Sequence, residues 1–598
     1  MEVTRIFDLL ERYATLFPKD DVFGAKRNGT WITYSTKDYI EISNNVSLGF
    51  LAMGIKKGDK IVTISTNRPE WNFVDIGMCQ IGAVHVPVYS TLSDADFNFI
   101  LRHSDAKIIF VSDKQIYNKI APIVAQIPTI ENIFSFNELQ DAKNWNEIVE
   151  LGKQNTEKFQ NQLVQIKSEI KPEDLASIIY TSGTTGVSKG VMLSHKNIVS
   201  NMKSAIDDLP LDNRHKILSL LPLCHVYERL VLYIFQYKGI SIYYAENIAT
   251  IVENIRELKV DGFNTVPRLL EKVYDVIMEK GAALKGIKRK LFDWAVKLGL
   301  RYEINNANGW WYALQLSIAN KLVFSKWREA LGGNIKYIGC GGASLQLRLA
   351  RLFWAAGIPI QEGYGLTETS PLIAFNSYCY PGLRLGTVGR IVKDVSVKIA
   401  DDGEILVKGP NVMMGYYKNP ELTAQVIDND GYFHTGDIGT LVDNQFLKIT
   451  DRKKEIFKTA NGKYIAPQVI ENRLKESWIV EQAMVVGENE KFASALISPK
   501  FDVLRKWSHK NEITYNNNVE IIQHPKILQL FQTQVNEINA TLGDYEKIKR
   551  FRLVPDEWNQ NTGELSPTLK LKRKFIVEKY QQTLDEIYSI SKNEILGK

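Results

Sequence analysis

From residue 60 onward, short apolar runs alternate with stretches whose apolar positions fall three and four apart. Lys60–Thr66, Ala83–Tyr89 and Ala106–Ser112 are rich in β-branched residues, and the segments between them have helical spacing. That alternation predicts βαβ units and a parallel sheet. Ile240–Ala245, Gly262–Pro267, Asn334–Gly339 and Ile358–Gln361 continue it as strand candidates. Residues 141–171 are polar, rich in Lys, Gln, Asn and Glu, and read as a solvated helix or linker. Past residue 384 the runs shorten: Ser396–Ile399, Glu404–Lys408 and Phe446–Thr450 are separated by turn residues such as Asp402-Gly403 and Asp443-Asn444. The predicted architecture is α/β. A large N-terminal domain of βαβ subdomains, with a small β-rich subdomain at about 384–451, spans 1–451, and a smaller α+β domain spans 452–598.

Composition narrows the class. A chain of 598 residues is too long for one core. Its hydrophobic fraction of 44% and charged fraction of 24% are ordinary for a globular protein. A net charge of +6, from 74 basic and 68 acidic residues, argues against a dedicated nucleic-acid binder. Cys79, Cys224, Cys340 and Cys379 lie far apart with no C-x-x-C pair, which predicts reduced thiols. The first residues lack the apolar core of a signal peptide. No apolar run reaches the ~18 residues that span a bilayer. The expected location is cytoplasmic, with peripheral attachment to the inner face of a membrane left open. The oligomeric state is open too, a homodimer being one alternative.

Residues 180–190 read Tyr-Thr-Ser-Gly-Thr-Thr-Gly-Val-Ser-Lys-Gly, directly after the apolar run Ser177-Ile178-Ile179. Glycines let backbone N–H groups approach an anion, the hydroxyls of Thr181, Ser182, Thr184 and Thr185 add donors, and Lys189 adds a mobile positive charge. A phosphate cradle is implied. It is not a Walker A loop, because Gly183 and Gly186 are three apart and Gly190 follows Lys189 where a Ser or Thr is required. The segment instead resembles, nearly residue for residue, the signature loop of the AMP-forming adenylating enzymes, the acyl-CoA synthetases among them.

Other segments carry the same resemblance. Residues 363–370, Gly-Tyr-Gly-Leu-Thr-Glu-Thr-Ser, offer Tyr364 to stack on a base, a backbone turn at Gly365, the hydroxyl of Thr367, and one carboxylate, Glu368. A single carboxylate beside phosphates suits Mg²⁺, which keeps most of its waters. The segment is similar to the family's adenine- and magnesium-contacting motif, with Thr184 a further metal contact. Gly341, Gly342 and Ala343 resemble the segment lining the adenine pocket. Asp437, in Tyr432-Phe-His-Thr-Gly-Asp437, is placed to accept hydrogen bonds from a ribose diol, while His434 is read as structural. In Asp451-Arg-Lys-Lys454 the resemblance makes Arg452 a ribose contact and Asp451 and Lys454 the hinge about which the C-terminal domain turns. In Leu565–Lys574 it makes Lys570 the catalytic lysine, with Lys572 the runner-up. Leu569 stands where many relatives have glycine.

The acid is read from two further segments. Leu221–Arg229 resembles the acyl-pocket segment of the long-chain branch and places His225 near the reacting carboxylate, and Thr265–Lys272 matches that branch closely. Residues 273–333 predict a long amphipathic helical stretch whose Trp294, Trp310, Trp311 and Trp327 are each read as core, while the basic and aromatic residues around Lys288–Trp294 suit a membrane surface. The resemblance runs from about residue 5 to 580. It implies a long-chain fatty acid–CoA ligase using ATP, Mg²⁺ and coenzyme A through an acyl adenylate. The alternatives are an acyl-AMP ligase that loads a carrier protein and a medium-chain or aryl acid–CoA ligase.

Overall fold

Strands buried on both faces must be apolar throughout, and Val84–Val88 is buried at every position. It lies in an eight-stranded sheet ordered 415–416, 189–194, 175–181, 84–88, 60–64, 106–111, 132–135, 143–144. Residues 60–64 pair in parallel with 84–88 and 106–111, as the βαβ reading requires. A second parallel run joins 23–27, 241–244, 216–219, 262–265, 337–340 and 360–365. Antiparallel strands 30–34 and 372–375 flank its two ends. The computed structural model describes residues 2–181, 188–378, 381–560, 562–566 and 569–596.

The chain divides into two compact units: residues 1–398, 406–435 and 442–447 form the larger, and 399–405, 436–441 and 448–598 the smaller. The fold is mixed α/β, with a large N-terminal and a smaller C-terminal domain. In the smaller unit Val480–Val486 pairs antiparallel with Ser494–Pro499, which pairs in parallel with Arg550–Leu553. Helices Pro467–Leu474, Phe501–Lys510 and Pro525–Asn539 complete a core containing Ile470, Leu504 and Phe531.

Most predicted strands fall within a few residues of their expected bounds. The hairpin Phe23–Arg27 and Thr30–Tyr34 precedes the segment where periodicity first became readable. The polar stretch 141–171 is two helices, Asn146–Gln154 and Thr156–Glu169, that bury Ile148, Val149 and Leu163. Three cysteines, Cys79, Cys224 and Cys340, are buried free thiols. Cys379 lies outside the described residues. Among the described residues no helix is long and apolar enough to cross a membrane.

Beside the eight-stranded sheet lies a buried charged network. Asp75 on helix Pro69–Gln80 accepts from Arg229 Nη2 at 2.6 Å and from Tyr233 Oη at 2.5 Å, with His85 Nδ1 2.6 Å away. Arg229 Nη1 donates to Ser177 Oγ (2.6 Å), and its Nε to Tyr233 Oη (2.8 Å). His85 Nε2 lies 2.6 Å from Thr63 Oγ1. Burial drives the His85 pKa down and keeps its ring neutral, so Nδ1–H donates to Asp75 and Nε2 accepts from Thr63. Although burial opposes it, Arg229 with the hydrogen bonds from His85 and Tyr233 holds the Asp75 pKa at about 2. Strands 60–64, 84–88 and 175–181 are thereby bolted to helix Val226–Tyr237.

Candidate active site

Strand Leu175–Thr181 and strand Lys189–Ser194 form an antiparallel hairpin in which Thr181 faces Lys189. The signature loop therefore runs from strand to strand, whereas a Walker A loop opens a helix. Ser182, Gly183, Thr184, Thr185 and Gly186 lie outside the described residues. At the loop's root, Tyr180 is buried and its hydroxyl lies 2.7 Å from His103 Nδ1.

The strand Gly415–Tyr416 pairs with Lys189–Ser194 and sets Tyr416 opposite Val191. From there Tyr416 Oη donates to Glu368 Oε1 at 2.9 Å, while the Lys189 ammonium stands 5.3 Å from the centre of its ring. One aromatic side chain thus joins the lysine of the signature loop to the carboxylate of the second motif. Burial, reinforced by Glu368, pushes the Tyr416 phenol well above its ordinary pKa, so it remains a donor. The Glu368 carbonyl also accepts from Met413 N–H (2.9 Å). Tyr416 was not singled out in the sequence. Its signal is the pairing of positions more than 200 residues apart, which no local pattern carries.

Tyr364 and Gly365 end strand Ile360–Gly365, and Thr367 and Glu368 sit in the short helical turn Thr367–Thr369. Gly365 is sterically obligatory: a Cβ there would lie 1.7 Å from the Pro371 carbonyl oxygen. The neighbouring strand Tyr337–Cys340 pairs Cys340 with Glu362, which brings Gly341, Gly342 and Ala343 beside the Tyr364 segment. Gly342 has φ +82°, a turn that favours glycine. These residues gather at the carboxyl ends of parallel strands, where open α/β sheets bind ligands.

Two buried carboxyls behind them also escaped the sequence reading. Burial raises the Glu362 pKa to about 8, against a lowering by the Leu345 N–H. Burial raises Glu228 to about 7, against hydrogen bonds from Ser219 (2.6 Å) and Asn264 (3.2 Å). Near neutrality Glu362 is chiefly the neutral acid. His225 is the N-cap of helix Val226–Tyr237, and its Nδ1 accepts the Tyr227 N–H at 3.1 Å. The Tyr89 ring meets the imidazole edge-on at 6.4 Å.

In the smaller unit Asp437 and Arg452 come together, with Arg452 Nε 3.3 Å from Asp437 Oδ1. Asp437 is buried and Arg452 half-buried, an arrangement that presents a carboxylate and a guanidinium side by side. Asp451 is fully buried and accepts from Arg452 N–H (2.6 Å) and Gln468 N–H (3.2 Å). Burial, with Glu455 and Glu471 nearby, raises its pKa to about 7. Lys454 is exposed beside it. His434 lies 3.5 Å from Asp428.

Lys570 is exposed beside the bridge Leu565–Leu571, with its backbone N–H donating to Ser566 Oγ (3.1 Å). Leu569 has φ +61°. A left-handed conformation suits glycine, which accounts for the residue common there among relatives. Here the side chain packs against a small core of Trp558, Leu565 and Ile576, offsetting a backbone penalty of about 1–2 kcal/mol. Arg573, within the basic run, is tied to Glu455 (3.0 Å) and Glu471 (2.7 Å).

With an adenylate-type loop root, a lysine–tyrosine–carboxylate chain and an α/β scaffold in place, the class can be stated. The chain belongs to the AMP-binding enzyme family, whose profile matches residues 10–417, with the family's C-terminal domain matching 454–592. It is 33% identical over 569 residues to the long-chain-fatty-acid–CoA ligase FadD15 of Mycobacterium bovis, covering 94% of this chain and 93% of that one. It is 30% identical to the human long-chain-fatty-acid–CoA ligase 1, covering 99% and 87% respectively. The fold matches the crystal structure of the anthranilate CoA ligase AuaEII with anthranoyl-AMP, at a TM-score of 0.71, 16% identity and 96% coverage of both chains.

Proposed function

We propose that this protein is a long-chain fatty acid–CoA ligase that forms an acyl adenylate from ATP, releases pyrophosphate, and passes the acyl group to coenzyme A with loss of AMP. The observation that carries this reading is the likeness to long-chain ligases along nearly the whole chain. Lys189, Glu368, Asp437, Arg452 and Lys570 all stand at the family's motif positions.

A free carboxylate cannot acylate a thiol at neutral pH, because its leaving group would be oxide. Attack on the α-phosphate of ATP replaces that leaving group with AMP. Catalysis then consists of positioning and of stabilising charge on the phosphorus-bound oxygens. Thr181, the loop to Gly186, and Lys189 hold the β- and γ-phosphates. Tyr364, Gly365, Thr367 and Gly341–Ala343 take the adenine side, and Asp437 with Arg452 the ribose. His225 is assigned to the acid's head from its motif position. Lys570 is assigned to the reacting centre, and Asp451 and Lys454 to the hinge, from their motif positions. Glu368, with Thr184, fits a Mg²⁺ ion that offsets phosphate charge, a single carboxylate being what the ion takes beside a nucleotide.

Tyr416 orients that carboxylate. Tyr416→Phe is expected to raise the Mg²⁺ concentration needed for half-maximal pyrophosphate release by ~10–100-fold, the usual range for losing a hydrogen bond behind a metal ligand. A metal titration reads it, and an unchanged midpoint removes Tyr416 from the site. The reaction itself is tested by pyrophosphate release across saturated acids of graded length, with and without coenzyme A. Release with long acids and a CoA-dependent thioester product is expected. No release with any fatty acid overturns the reading.

A further inference from the structure

The helical stretch after residue 267 holds an uncovered apolar stripe. Helices Pro267–Ala282 and Gly286–Gly299 are followed by Trp310–Ala319, a π-turn at Asn320–Phe324 and Ser325–Ala330. The inner side of the last three buries Tyr312, Ala319, Val323, Phe324 and Trp327. Tyr312 Oη donates to the Leu298 carbonyl at 2.8 Å, and the Phe324 and Trp327 rings meet at 4.9 Å. The outer side exposes Trp310 by 78%, Trp311 by 60%, and Leu314, Ile318 and Leu322 by about half. Positions 311, 314, 318 and 322 follow helical spacing, so these side chains form one stripe roughly 18 Å long. Trp310 and Trp311 were expected in the core, and they are corrected here: Tyr312 and Trp327 occupy the inner positions and leave the indole pair outside. Trp294, in the segment first suspected of membrane contact, is half-buried against the core.

The charge around the stripe is one-sided. Between Glu303 and Glu329 there is no acidic residue, while Lys321 is exposed within the stripe and Lys326 follows it. Lys326 meets Glu329 at 3.0 Å across an exposed surface pair, an interaction that contributes little. A row of apolar side chains headed by two indoles and accompanied by the exposed Lys321 fits an anionic lipid surface. Tryptophan places its ring at headgroup depth, and each lysine gains from the negative surface potential.

We infer that the outer face of residues 310–322 docks this protein on anionic bilayers. This rests on the proposed function only for its purpose, delivery of a membrane-dissolved acid. Sedimentation with vesicles tests it, comparing phosphatidylcholine alone with phosphatidylcholine mixed with phosphatidylglycerol and using the full chain without substrates. The wild-type protein is expected to bind the anionic vesicles more tightly. Trp310→Ser with Trp311→Ser should weaken that binding at least about tenfold. Lys321→Glu, which changes no buried group, should weaken it roughly fivefold or more on anionic vesicles only. No wild-type binding overturns the inference, as does equal binding by both variants. A dimer in vesicle-free buffer that the tryptophan variant dissociates assigns the face to a second copy and overturns it as well. If the tryptophan variant unfolds, Lys321→Glu decides. Pyrophosphate release from monomeric acid without vesicles is measured in parallel. Its absence with vesicle binding intact sinks the proposed function and spares the docking surface, and the converse holds.

Discussion

Lys570→Ala should lower acyl-adenylate formation by at least ~10²–10³-fold while thioester formation from preformed acyl-AMP survives. The magnitude is that of removing one donor aimed at charge that develops in a transition state. The asymmetry follows from the chemistry: charge builds on the phosphate in the first step, whereas the second expels AMP from an acyl group already activated. The bond from Ser566 N–H to the Lys570 carbonyl (2.8 Å) and the packing of Leu569 in its apolar nest do not use the lysine side chain. Misfolding is therefore not the expected cause of the loss. Separate assays of pyrophosphate release and of CoA consumption from synthetic acyl-AMP read the two halves. Equal damage to both would remove Lys570 from its assigned role.

Arg229→Met should destabilise the larger unit by about 3–5 kcal/mol, the scale of leaving one member of a buried ion pair uncompensated. Asp75 would then face burial with only Tyr233, His85 and no cation, and Ser177 would lose its donor. Asp75→Asn combined with Arg229→Met should recover part of the loss, because a neutral amide in place of the carboxylate removes the stranded charge. Urea midpoints for the single and double variants provide the measurement. A midpoint unmoved by Arg229→Met would mean the network carries no stability.

Much of the architecture was legible because parallel strands buried on both faces must be apolar throughout. Lys60–Ile64 and Ala106–Val111 announce themselves in that way. The family was legible through the signature loop's unusual density of glycine and hydroxyl groups. What was not legible depends on distance along the chain. Tyr416 acquires its role by pairing with a strand more than 200 residues earlier, and Asp75, His85 and Arg229 meet only once both sheets exist. The charged run at Asp451 looks like solvent-facing surface, yet its first residue is wholly buried. Helical spacing marks Trp310 and Trp311 as apolar positions without telling which side faces the core. At Leu569 the sequence displayed an oddity whose meaning, a left-handed backbone, only the dihedral angle supplies.

The buried network has a consequence for how such an enzyme diversifies. Arg229 lies one helical turn beyond His225, and its partner Ser177 lies four residues before Thr181, so the segments assigned to the acid's head and to the nucleotide's phosphates share one anchor. A substitution at that anchor is expected to disturb both segments together. The helices Pro267–Ala282, Gly286–Gly299 and Trp310–Ala319 supply no residue to this network, so their sequences can vary without moving it.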